Sequence, residues 1–153
     1  MIYELDVIDE FKGKHYFLSN FYSAPVMYQG ITYQNNEAAF QAMKITDKSI
    51  HLEFSELPPN LAKRKGRRVK LRPEWEEVKE TFMYEIVKAK FEQNAHLKNK
   101  LLQTGESILI EGNTWGDKIW GVCDGVGENK LGKILMKVRN ELKRGTVETD
   151  QSI

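Results

Sequence analysis

The hydrophobic and polar positions change rhythm along the chain. The first third is extended in character. Tyr16-Phe-Leu18 is a short apolar run, and Val26-Met-Tyr-Gln-Gly-Ile-Thr-Tyr33 sets β-forming residues on both sides of Gln29-Gly30, the pattern of a hairpin. From Asn35 the rhythm becomes helical. Asn35 or Asn36 supplies a capping side chain, Glu37 suits the positive end of a helix dipole, and Ala38-Ala-Phe-Gln-Ala-Met43 continues as a short buried helix. Pro58-Pro59 interrupts the chain, and a second short helix is expected from about Asn60 until Gly66 ends it.

The longest periodic stretch follows. Trp75, Val78, Phe82, Ile86 and Ala89 recur at threes and fours, Phe91 extends the stripe, Pro73 fits the first turn and Asn94 breaks the helix. A further helix covers about residues 96–103 with Gly105 at its end, and Ser107-Ile-Leu-Ile110 reads as a buried strand. A last helix starts at Lys130 and sets Leu131, Ile134, Leu135, Val138 and Leu142 on one face. The sum predicts an α+β fold, a helix-rich single domain with a small β-sheet over residues 1–145, and a polar, disordered tail over residues 146–153.

Composition narrows the setting. A chain of 153 residues is long enough to bury roughly 70% of its unfolded surface, so it can hold both a core and a pocket. It has no apolar run near the ~18 residues of a membrane span and no basic-then-apolar leader at Met1, so the expectation is a soluble, cytoplasmic protein with no membrane partner. Cys123 is the only cysteine, which excludes an intrachain disulfide and reads as a small buried thiol. His15, His51 and His96 lie far apart, and their spacing supports no metal site.

Net charge is +1, too small for a global field, yet Lys63-Arg-Lys-Gly-Arg-Arg-Val-Lys-Leu-Arg72 carries seven basic residues in ten. The run reads either as a solvated face or as a footprint for phosphate.

Candidate chemistry concentrates in two places. Asn113-Thr-Trp-Gly-Asp-Lys-Ile-Trp-Gly121 brackets Asp117 with Trp115 and Trp120, each followed by glycine. Flat rings beside glycine accept a flat ligand, unless the indoles plug the end of the core and Asp117 makes a turn. On the short helix, Glu37 and Lys44 are seven residues apart, roughly 20° around the axis, and share a face with Gln41 and, to one side, Phe40. They are either a capping carboxylate and a surface lysine, or a buried acid and amine facing a cavity whose other wall carries Asp117 and the indoles. Two carboxylates and an aromatic platform suit cleavage of a glycosidic bond through an oxocarbenium-like transition state, with basic residues of the run holding a phosphate.

Several blocks then line up in order. Phe17-Leu-Ser-Asn-Phe-Tyr22, Asn36-Glu-Ala-Ala-Phe-Gln-Ala-Met-Lys44, Ala62-Lys63 with Gly66-Arg67, Arg72-Pro-Glu-Trp75, Lys88-Ala-Lys-Phe-Glu-Gln-Asn94, Leu101-Leu-Gln-Thr-Gly105, Asp117-Lys-Ile-Trp-Gly121 and Gly127-Glu-Asn-Lys-Leu-Gly132 resemble successive blocks of the YbiA/NADAR family, from about residue 11 to residue 142. The resemblance implies an N-glycosidase. Some members cleave the base-to-ribose bond of phosphorylated ribosylamino intermediates of the riboflavin pathway, and others remove ADP-ribose from guanine in nucleic acid. No cofactor and no metal is implied.

By matching blocks, the resemblance points to Glu37, Lys44 and Asp117 for catalysis and to Asn20, Gln41, Arg67 and Trp120 for substrate binding, while Trp115, outside the matched blocks, is read as helping Trp120 to stack the base or ribose. Where the family often has Val-Glu-His-Ala-Tyr-Gln, this chain has Asn36-Glu-Ala-Ala-Phe-Gln41, a change that bears on substrate preference more than on chemistry. Glu37 or Asp117 supports the developing sugar cation while the other carboxylate or Lys44 assists departure of the base, or Lys44 attacks C1 of an opened sugar.

Each residue has a plainer alternative: Asn20 caps a turn, Arg67 is a surface charge, Trp75 is core, and Gly127, Asn129 and Gly132 form a turn into the last helix. Three functions compete: a hydrolase of a small phosphorylated ribosyl metabolite, a hydrolase of ADP-ribosylated guanine in nucleic acid, and a binding module for ADP-ribose or a nucleotide that cleaves nothing.

Overall fold

The alternation of extended and helical stretches is realised in the computed structural model, which describes residues 6–151, as β1 (Val7–Ile8), a 3-10 helix (Gly13–Leu18), β2 (Val26–Tyr28), β3 (Ile31–Tyr33), α1 (Asn36–Ala42), α2 (Lys48–Ser55), α3 (Pro59–Gly66), α4 (Trp75–Gln93), α5 (Ala95–Gln103), β4 (Ile108–Leu109), β5 (Gly112–Asn113), β6 (Val122–Cys123) and α6 (Lys130–Gln151). The fold class is α+β and helix-rich. Among the described residues the strands form three separate two-stranded pairings. The chain divides into two compact units, Asn20–Asn94 and Met1–Ser19 with Ala95–Ile153.

In the unit Asn20–Asn94, the hairpin forms as expected, with Val26 opposite Tyr33 and Tyr28 opposite Ile31. Gln29 and Gly30 both take positive φ, 50° and 83°, the combination that matches a two-residue turn to the strand twist. Val26 and Tyr33 are fully buried, and α4 packs on β2. Gln93 closes α4 onto the hairpin edge by donating to the Met27 carbonyl and accepting from its N–H, both at 2.8 Å. The α4 face differs in detail from the expected stripe: Trp75, Met83, Ile86, Val87, Lys90 and Phe91 are buried, while Val78, Phe82 and Ala89 are half-buried. Pro73 lies outside the helix, which starts after Glu74, a residue in the left-handed region. α1 packs against α2, α3 and α4.

α2 was not expected. Asp47 caps it by accepting from the N–H and hydroxyl of Ser49, and His51, Phe54 and Ser55 form its buried side.

Lys90 is 1% exposed, with the rings of Tyr22 and Phe91 at 5.5 Å and 5.1 Å from its amine. Burial pushes that amine down to about 7.

In the other unit, β1 and β4 pair in parallel, as do β5 and β6, and α6 packs on β4 and α5. Tyr16-Phe-Leu18, expected to be extended, lies in the 3-10 helix. Phe17 and Leu18 are neighbours in sequence and both buried, a demand that a strand with alternating faces does not meet. α6 buries Leu131, Leu135, Val138 and Leu142. It continues through the stretch expected to fray, to Gln151; residues 152 and 153 lie outside the described residues.

Candidate active site

α1 places polar side chains where a core would normally be apolar. Asn35 starts the helix, its side chain accepting from the Ala38 N–H at 2.8 Å. The N–H of Glu37, an amide with no partner inside the helix, donates to the Asn20 carbonyl at 3.0 Å. Asn20 is itself buried: its amide group reaches the sulfur of Met83 at 3.4 Å, and its Oδ1 accepts from Asn36 Nδ2 at 3.4 Å. Asn20 therefore braces the entry to α1.

Glu37 is 8% exposed, and Gln41, one turn later, donates from Nε2 to its carboxylate at 2.9 Å. The other end of that amide, Gln41 Oε1, has no hydrogen-bond partner and is pressed against the Cα of Gly66, where a β-carbon would overlap it. Lys44 was expected on the same helix, but α1 ends at Ala42 and Lys44 lies in the turn just past it, where its N–H donates to the Gln41 carbonyl at 3.2 Å. Lys44 is half-buried and donates from Nζ to the carbonyl of Gly66, the last residue of α3, at 3.2 Å. Glu37 and Gln41 on α1 and Lys44 in the turn after it are thus held near one end of α3 by the helix, the turn and the contact with Gly66 together.

Burial holds the Lys44 amine below the ordinary lysine value. The Glu37 charge acts in the opposite direction, and the cations Arg67, Lys63 and Lys79 add to the depression. The site is a carboxylate and an amine that burial holds below its ordinary value.

Gly66 was not among the expected site residues, although the Gly66-Arg67 block contained it. In Gly66→Ala the new methyl group collides with the Gln41 side chain. The expected loss is about 1–3 kcal/mol of stability, as for other overpacked sites, together with displacement of the Gln41 amide from Glu37. Denaturant melting checks it, with Gly145→Ala, where the added carbon meets nothing within 4 Å, as the comparison.

The basic run divides. Arg64, Arg67, Arg68 and Lys70 are exposed. Lys63 lies over the Phe21 ring and Lys65 over the Phe54 ring, and Lys65 also pairs with Glu53 at 3.4 Å. Arg72 turns back to the carbonyls at the end of α1. Arg67 thus has the surface position of its plainer reading, at the end of α3, and Trp75 is core, stacked on Phe82 and tilted against Phe40.

Asp117, Trp115 and Trp120 belong to the other unit, in the loop between β5 and β6. Asn113 ties the loop's base, donating to the Asp117 carbonyl at 2.8 Å and accepting from its N–H at 3.0 Å. Asp117 Oδ1 accepts from the N–H groups of Ile119 and Trp120 at 3.1 Å and 2.9 Å, so Asp117 makes a turn. Trp115 is 56% exposed and does not plug the core, whereas Trp120 is half-buried.

The carbonyls of Lys118, Ile119, Trp120 and Gly121 accept in turn from the N–H groups of Glu128, Lys130, Leu131 and Asn129. Asn129 joins the segments, donating to the Leu109 carbonyl and accepting from the Glu111 N–H. The Gly127 to Gly132 stretch is therefore the turn into α6.

Among the described residues no group of three or more His, Cys, Asp or Glu is placed to hold a metal ion, and no helix is long and apolar enough to cross a membrane.

The NADAR domain family matches residues 8–143, a span that takes in both units. The chain is 41% identical over 128 residues to N-glycosidase YbiA of Escherichia coli, covering 81% of this chain and 79% of that protein. It is 34% identical to an N-glycosidase of Nostoc punctiforme, covering 82% and 84%. Against a riboflavin biosynthesis protein of Vibrio vulnificus it is 36% identical over 84% of this chain but only 36% of that longer protein. The NMR structure of the E. coli protein YbiA superposes with a TM-score of 0.83 at 37% identity, covering 95% of this chain and 90% of that one. With sequence and fold in agreement over most of its length, the chain belongs to the NADAR domain family and is an enzyme of the N-glycosidase kind.

Proposed function

We propose that the substrate is a small phosphorylated ribosylamino compound of the riboflavin-pathway type, and that the chain hydrolyses its base–ribose C–N bond using Glu37 and Lys44. The observation that carries this is the buried Glu37 carboxylate held by Gln41 on α1, with the Lys44 amine, held by burial below its ordinary value, in the turn just past that helix. A lysine held below its ordinary value is neutral more of the time, and the neutral amine is the nucleophile. When the sugar ring opens, C1 carries a C=N bond to the base nitrogen. Lys44 adds to C1, and the Glu37 carboxylate takes the protons that the Lys44 nitrogen sheds and passes them to the base nitrogen. The C1–N bond to the base then breaks as an imine forms between C1 and Lys44. Water adds to that imine, with Glu37 taking its proton, and the sugar leaves as ribose 5-phosphate with its aldehyde restored. One water is consumed, and Lys44 and Glu37 return to their starting forms.

In this reading Gln41 orients Glu37 and Arg67 meets the phosphate. The test is release of ribose 5-phosphate from such a ribosylamino pyrimidine; failure to release it would remove the substrate class.

The exposed Arg64, Arg67, Arg68 and Lys70 favour a second reading, in which the bond cleaved is that of ADP-ribosylated guanine in nucleic acid. Several phosphate contacts would make turnover fall steeply with salt, whereas one phosphate gives a shallow slope.

A further inference from the structure

Along the chain Arg72 closes the basic run, yet its side chain is committed elsewhere. Its Nε donates to the Met43 carbonyl at 2.7 Å, its Nη2 to the Ile45 carbonyl at 3.1 Å, and its own backbone N–H to the Lys44 carbonyl at 2.7 Å. Three consecutive carbonyls, those of Lys44 and both its neighbours, are therefore taken by one residue. They lie where α1 ends and its last carbonyls have no partner within the helix. The guanidinium face rests on the Phe82 ring, 4.8 Å from its centroid.

We propose that Arg72 is a positioning residue for Lys44: its guanidinium fork fixes the peptide plane leading into Lys44 and the plane after Ile45, on either side of the one held by its backbone N–H, so that the amine stays against Gly66. This rests on the reading of Lys44 as the reacting amine. The planar fork presents two donors at fixed spacing, which a lysine in its place cannot do even though it keeps the charge. The Lys44 side chain has four rotatable bonds beyond its Cα, and a turn of either adjacent peptide plane would carry its amine away from Gly66. His51 adds a second hold from α2, with Nε2 at 2.7 Å from the Ile45 carbonyl.

The experiment is NMR titration of Lys44 after reductive ¹³C-methylation, with steady-state kinetics on unmodified protein, for the parent, Arg72→Lys and Arg72→Gln. The charged groups acting on Lys44 are Glu37, Arg67, Lys63 and Lys79, and both variants retain all of them. Release of the clamp lets the amine reach solvent, so its titration moves up toward the ordinary lysine value in both variants. kcat falls by roughly 10- to 100-fold, the usual cost of a displaced reacting group, while KM changes far less. Arg68→Gln, an exposed neighbour in the same run, leaves the Lys44 titration in place. A shifted titration with unchanged kcat would support the clamp and overturn the catalytic role of Lys44. Folded variants in which Lys44 titrates as in the parent would overturn the clamp, and so would loss of the folded state in both, which makes Arg72 a folding residue.

Discussion

Glu37→Gln is expected to lower kcat by about 10²- to 10⁴-fold, the range over which a positioned proton donor and acceptor contributes to a reaction. Glutamine fills the same volume, so the fold is retained, but it neither gives up nor receives the proton that accompanies departure of the base. A second consequence is independent of turnover. The Glu37 charge raises the Lys44 value against the other influences on it, so removing that charge lets Lys44 titrate lower still. Turnover equal to the parent would remove Glu37 from the chemistry, and an upward move of Lys44 would contradict the geometry of α1.

Lys44→Met is expected to reduce turnover to the background rate, a fall of at least about 10³-fold, because the covalent route is closed. In the parent, borohydride added during turnover reduces the imine and fixes a ribose 5-phosphate mass on Lys44; in Lys44→Met no mass is added. Turnover without any trapped adduct would give Lys44 a proton-donating role instead. The pH dependence has a definite sign. The attacking form is the neutral amine and burial lowers its value, so kcat rises with pH and reaches its plateau below the pH at which an ordinary lysine would titrate. Stability runs the same way. The folded state holds its Lys44 proton less tightly than the unfolded chain, so the penalty for burying charge is fully present below the folded value and is relieved as pH rises toward the unfolded value. Lys44→Met removes that penalty, and its melting temperature gains most over the parent in the pH range below the folded value.

Much of this site was legible because helical spacing is rigid. Glu37 and Gln41 fall on one face for any α-helix, and Asn35 before an alanine-rich run marks where that helix begins, but the same spacing placed Lys44 on a helix that in fact ends at Ala42. The hairpin was equally visible, since Gln29-Gly30 between β-formers leaves few alternatives. What eluded the sequence were effects of the partner surface. Gly66 looked like a helix terminator, and only the packing of α1 on α3 shows that its missing side chain makes room for Gln41. Arg72 looked like one more phosphate-binding cation because charge is apparent in a sequence and the direction of a side chain is not.

α2 was passed over because its buried side carries His51 and Ser55 with a single large apolar residue, Phe54, and its Leu52 points outward. Lys90 shows the same limit from the other direction. It stands three and four residues after Val87 and Ile86, where periodicity asks for an apolar side chain, and it is buried there as a lysine.

The turn into α6 bears on how this enzyme can diversify. Its opening amides are already claimed by the loop from Lys118 to Gly121, so that helix offers a substrate anion no ready main-chain cradle. An acidic group bound at that end would therefore be gripped by side chains, which single codon changes can retune without disturbing the scaffold.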